Sequence, residues 1–154
     1  MKRIRKFLQL SRPDRVLLIH TTVVLTVVTL GLRILPWLTL QRLLPKRASR
    51  HARFVPAQRP SAQRIAWSIQ VASGYVPRAT CLPRALAAHL LLIQHAYPAD
   101  LQIGVARNED GNLEAHAWVT SESGIIIGDV QDLDHFVLLS PMEREGIGDY
   151  VSAP

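Results

Sequence analysis

Hydrophobic positions follow two rhythms along the chain, and the change between them divides it. Ile65, Ile69 and Ala72 share one side at helical spacing, which predicts a helix over Ala62–Ser73, capped by Ser61 and ended by Gly74. Tyr75–Thr80 crosses to a second helix on which Leu82, Leu86, Leu90 and Ile93 recur along one face. Thr80 is its N-cap, Pro83 fits its first turn, and it runs from Cys81 to about His95, with Pro98 closing it. From residue 101 the period drops to two. Leu101, Ile103 and Val105 alternate with Gln102, Gly104 and Ala106, as a strand requires. Asn108–Asn112 is a hairpin turn, Leu113–Thr120 a second strand, Ser121–Gly124 a second turn and Ile125–Val130 a third strand. Phe136–Leu139 is a candidate fourth. Helices first and an antiparallel meander after them predict an α+β domain.

Before this body lies an uncharged run, Val16–Leu32, flanked by Arg15 and Arg33 and containing His20, four threonines and Gly31. At roughly 17 residues it meets the lower limit for crossing a bilayer. No small-residue cleavage site closes it, which disfavours a signal peptide. Three readings stand: a helix packed on the domain, an interfacial helix gripping anionic lipid through its basic flanks, or a short span. Pro36 and Pro45 punctuate the stretch that follows, where the pattern predicts a second short amphipathic helix over Leu35–Leu44. The expected organisation is a helical appendage over 1–45, a basic, proline-containing linker over 46–60, and a core over 61–154.

The net charge of +6 on 154 residues hides an asymmetry. Residues 1–60 carry thirteen Lys or Arg and one acid, Asp14, whereas residues 61–154 carry five Arg and eleven acids. A basic first third on an acidic body argues for a local electrostatic role or for solvated charge around an apolar helix. No recognition helix or zinc finger is present, so nucleic acid is not an expected partner. A single cysteine excludes an intrachain disulfide and a Cys-based zinc cage, and suits a reducing compartment. The expected location is the cytoplasm, with membrane association through the amino-terminal segment as an option.

That cysteine, Cys81, opens a helix, where unpaired N–H groups and the dipole favour a thiolate and the Cys81 amide can face a developing oxyanion. His116 lies in a strand with Trp118 and Thr120 on its face, and Asp129 follows the next strand. An antiparallel hairpin around residues 121–124 brings His116 near Asp129, within one residue of register. Nucleophile, base and orienting carboxylate then occur in an order that thiol acyl transfer can use. Taken singly, a buried cysteine, a hydrogen-bonded histidine and a turn aspartate are the plainer readings; together their placement favours chemistry. His89 and His95 sit turns away from Cys81 on its own helix and are not expected bases. Asp132 and Asp134 are substitutes for Asp129, and Arg84 and Trp118 are candidate substrate contacts. No histidine pair has ligand spacing, so neither a metal nor another cofactor is expected.

Ala79-Thr-Cys-Leu-Pro-Arg-Ala-Leu86, Leu101–Val105, Ala115-His-Ala-Trp-Val119 and Gly128-Asp129 together resemble the transglutaminase-like leader peptidases of lasso peptide biosynthesis. Leu8–Leu17 and Leu35-Pro-Trp37 resemble that family's amino-terminal helices, so the resemblance spans nearly the whole chain. It implies a transglutaminase-like, papain-like core in which Cys81 is the nucleophile, His116 the base and Asp129 the orienting carboxylate. It further implies removal of the leader from a ribosomally made precursor peptide, with a separate leader-binding protein and an ATP-dependent lactam synthetase as partners. Because the chain begins directly with the helical segment, the resemblance points to the standalone peptidase half of a split pair. Two alternatives remain: acyl transfer to an amine, and a non-enzymatic scaffold that binds a peptide or a membrane surface.

Overall fold

A computed structural model describes residues 7–34, 59–108, 110–121, 124–130 and 133–139. The predicted helix over 35–44 and most of the predicted linker lie outside these residues. Among the described residues three helices precede a four-stranded antiparallel sheet: α1 (Arg12–Ile34), α2 (Ala62–Ser73), α3 (Cys81–Gln94), then β1 (Asp100–Arg107), β2 (Leu113–Ser121), β3 (Gly124–Ile127) and β4 (Val137–Leu138). The spatial order is β3-β2-β1-β4. The mixture of helices and antiparallel strands is the one the two rhythms predict.

Ser11 starts α1: its hydroxyl accepts from the Asp14 N–H at 3.3 Å, and its own O–H donates to the Asp14 carboxylate at 2.7 Å. Threonine and valine are indifferent helix formers, and this helix is rich in both. Its hydroxyls do not go begging. Those of Thr22, Thr26 and Thr29 donate to the carbonyls four residues earlier, each at 2.7 Å. Thr21 instead bonds the buried Ser68 hydroxyl of α2 at 2.8 Å. Leu17, Leu18, Thr21, Leu25 and Thr29 are buried on this face, which packs on both α2 and α3. Leu25 belongs to the same core cluster as Ile65, Ile69, Leu91, Leu92 and Val119. The helix expected as an appendage is thus a layer of the core, because its inner face is apolar enough to bury and its hydroxyls are satisfied there.

An ion pair between Arg64 and Asp14 fastens α2 to the start of α1, with Arg64 Nε 2.6 Å from the carboxylate. That hydrogen bond, and then the one from Ser11, hold the Asp14 carboxyl below its ordinary range. Ser61 caps α2 by accepting from Arg64 N–H at 3.2 Å. Between α2 and α3 a tight turn is closed by Ala79 N–H on Val76 O, with Pro77 at one corner and Arg78 at the other. Arg78 takes φ +62°, as the second corner of a type II turn demands. The far end of α3 closes with Tyr97 N–H on Leu92 O and Ala96 N–H on Ile93 O, a Schellman motif with Ala96 at the left-handed position (φ +58°) usually given to glycine.

β1 and β2 form a long hairpin in the register Gly104↔His116 and Val105↔Ala115. Its turn is held by Asn108, whose side-chain oxygen accepts from Asn112 N–H at 2.8 Å, with Gly111 at φ +78°. β4 joins the other edge of β1 opposite Gly104 and Val105. Ala117 and Val119 face the helices and are buried, while His116 and Trp118 alternate to the opposite face.

Candidate active site

The site forms where β3 leaves β2. The two strands pair from Ser121↔Gly124 back to Val119↔Ile127, with a bulge between Val119 and Thr120. Beyond Val119, toward its start, β2 keeps β1 on one side and loses β3 on the other. Leu139 N–H donates to Ile103 O at 2.8 Å, so Ile103 turns its backbone groups toward β4 and, two residues on, Val105 does the same. Ala115, opposite Val105, therefore points its carbonyl away from β1, at the edge that β3 has vacated. Cys81 takes that place: its Sγ lies 3.9 Å from Ala115 O as a weak S–H donor, and the residue is only partly covered.

Cys81 is the first residue of α3. Thr80 occupies the N-cap position with extended backbone, as its residue type suggests, but its hydroxyl makes no capping hydrogen bond. Arg84 N–H is taken by Thr80 O and Pro83 has no N–H, so the Cys81 and Leu82 amides are the donors left in the first turn. They sit at the positive end of the helix, beside the sulfur.

His116 is the next residue along β2 from the carbonyl that Cys81 meets. Its Nε2 is 2.8 Å from Gly128 O. A carbonyl can only accept, so Nε2 carries the proton and the Nδ1 lone pair is left as the basic site. Gly128 can make this contact because it is glycine. It adopts φ +86°, and a Cβ there would fall 2.7 Å from Trp118 Cβ and 2.8 Å from Ala117 O. Behind the ring, Trp118 stacks on His116 with centroids 6.0 Å apart, and Phe136 tilts against it at 5.6 Å. Gly104 leaves the room these two rings need, since a Cβ there would meet Phe136 Cβ at 2.8 Å. The imidazole is therefore fixed by one hydrogen bond and two aromatic walls.

The expected residues fall as follows. Cys81 and His116 come to the same edge of β2, with no hydrogen bond between their side chains. Asp129 is exposed, and no hydrogen bond joins its carboxylate to the ring; the preceding residue's carbonyl holds that position. Asp132 lies outside the described residues, and Asp134 is exposed in a short 3-10 turn. Trp118 is 7 % exposed, a wall behind His116 with little surface for a substrate. Arg84 lies one turn from Cys81 on the same side of α3, and its Nε is buried with no hydrogen-bond partner among the described residues. Phe136 and the carbonyls of Gly128 and Ala115 escaped the sequence reading. Gly-Asp at 128–129 carried a visible turn signal, whereas backbone acceptors leave none. Among the described residues no three His, Cys, Asp or Glu side chains gather as a metal site.

The sequence matches the family model described as transglutaminase-like superfamily over residues 22–140, a span that begins inside α1 and includes Cys81, His116 and Asp129. Comparison with curated proteins and with solved structures gave no match.

Proposed function

Since the chain belongs to the transglutaminase-like superfamily, we propose that it is a cysteine peptidase that removes the leader from a ribosomally made lasso peptide precursor. The observation that carries the chemistry is the shared edge of β2. There a helix-terminal thiol lies against residue 115, and the next residue's imidazole is held with Nδ1 as its basic atom. The leader-peptidase reading is supported by the motif combination around Cys81, His116 and Gly128-Asp129.

In the proposed reaction the Cys81 sulfur attacks the scissile amide carbon while its proton passes to His116 Nδ1. The carbonyl oxygen becomes an oxyanion facing the Cys81 amide. Collapse breaks the C–N bond, and the leaving amine takes the proton from the imidazolium. A water then attacks the thioester, gives a proton to His116, and releases the leader as a carboxylic acid with the thiol restored. Gly128 O keeps Nε2–H in place throughout. Arg84, with its unpartnered Nε, is the proposed anchor for a substrate carbonyl or carboxylate. A separate leader-binding protein would deliver the precursor, and a lactam synthetase would use the freed amine.

The test is mass spectrometry of a precursor incubated with the protein and its leader-binding partner, wild type against Cys81→Ala. One leader-sized cut made by wild type alone is expected, with loss of at least about a thousandfold in the variant. Equal cleavage by both refutes the nucleophile. An amine adduct in place of the free acid assigns acyl transfer instead, the other activity type found on this fold.

A further inference from the structure

α1 has a second apolar face. Val16, Ile19, Val23, Val27, Leu30 and Ile34 recur at offsets of three and four and are 49–78 % exposed. They lie opposite the buried residues Leu18, Thr21, Leu25 and Thr29, so the helix is apolar on both sides. α2 and α3 lie between α1 and the sheet, which puts this face on the far side of the molecule from His116. Such a stripe on a water-facing helix is unusual for a solitary domain.

We infer that this face docks on an anionic lipid surface, with α1 lying in the plane of the interface. Charge separates this occupant from the others. Arg12 and Arg15 stand at one end of the stripe and Arg33 at the other. Asp14, the one acid among the first sixty residues, is taken up by Arg64. A second copy of the helix, laid parallel or antiparallel, would set cations against cations at both ends. An anionic bilayer meets them with opposite charge along its whole plane. The hydroxyls agree with an apolar medium: Thr22 and Thr26, on the flank of the stripe, already donate to helix carbonyls and would enter the headgroup boundary without orphaned donors. The inner face, bound to the core through Leu25 and the Thr21–Ser68 pair, holds the helix on the surface of the domain. The inference stands on the packing of α1 and does not depend on the peptidase reading.

The experiment is flotation of the full-length protein with vesicles of phosphatidylcholine alone or mixed with phosphatidylglycerol, at low salt. Binding to the anionic vesicles is expected to exceed binding to the neutral ones by at least about tenfold and to weaken as salt rises. V23D/V27D, at two exposed positions, should lower it by about tenfold or more, with circular dichroism and melting unchanged. V27W should shift its emission to the blue when vesicles are added. No binding at low salt, or undiminished binding by a folded V23D/V27D, overturns the inference. A V27W spectrum already blue-shifted without lipid, or a dimer by light scattering that V23D/V27D dissociates, assigns the face to another protein surface and overturns it equally.

Discussion

The helical side of this protein and the β2–β3 edge solve opposite problems. Among the helices, regular spacing buries Leu25, Ile65, Ile69 and Leu92 together, and the hydroxyls that enter are paired, Thr21 with Ser68 and Thr29 with its own helix. At the β2–β3 edge regularity stops: the ladder carries a bulge, β3 departs after Ile127, and carbonyls that a longer strand would have paired are left over. Cys81 meets one of them and the His116 ring the other. Continuous packing supplies a rigid frame, and a broken ladder supplies the groups that chemistry can use.

The contrast can be broken from either side, and the largest effect is expected on the helices. Leu25→Ala removes a fully buried side chain at the centre of the α1 contact and should cost about 2–5 kcal/mol. Denaturant melts will measure it; a loss under about 1 kcal/mol would mean that α1 is appended rather than integral. Gly128→Ala should act on the site more than on the frame. It forces a side chain into Trp118 at positive φ and displaces the acceptor of His116, so turnover should fall about ten- to a hundredfold while the helices keep their circular dichroism. Turnover at the wild-type rate would show that Gly128 does not position His116.

Asp129→Asn sharpens the same point with a smaller effect. Because Gly128 O already holds the ring, loss of the carboxylate should cost turnover less than Gly128→Ala does. A deeper loss in the aspartate variant would mean that the carboxylate, not the carbonyl, positions the imidazole.

The smallest effect concerns acid. Asp14 sits below its ordinary value of 3.8 through its hydrogen bonds to Arg64 and Ser11. His95 sits below 6.5 through burial first and the charges of His20 and Arg59 second. Both folded values lie under the unfolded ones, so both groups contribute stability above their ordinary values and lose it as pH falls. Melting temperature should decline first below about pH 6.5 from His95 and again below about 3.8 from Asp14. In Asp14→Asn the second decline should flatten; an unchanged acid limb would show that the ion pair is inert, as many exposed pairs are.

How much of this was written in the sequence depended on whether a side chain marked it. Ile65, Ile69 and Leu86 announced their helices by spacing, and Leu101 to Val105 announced a strand by alternation. The bulge was silent, since its extra residue, Ile126 on β3, is an ordinary strand residue that signals none. Extended from Thr120↔Ile125 the ladder would set Asp129 opposite His116; the shift to Val119↔Ile127 takes the aspartate out of that register, and the Gly128 carbonyl is what meets the ring. Thr80 is at the helix start but leaves its cap bond unmade, so residue type gave the position and not the contact. In α1 the threonines weakened the apolar signal in one dimension, yet in three they close onto carbonyls or onto Ser68. A buried hydroxyl pair 47 residues apart cannot be seen in the chain itself.

The proposed chemistry requires Cys81 and His116 to work as one unit at the β2 edge. With one cysteine in the chain, intact-mass spectrometry of alkylation by a neutral electrophile at pH 7 reads that unit directly, in wild type and in His116→Ala. A single rapid adduct is expected in the wild type, and a rate at least about tenfold lower in a folded His116→Ala. Equal rates in the two proteins would show a thiol that does not feel the imidazole, and would contradict that chemistry.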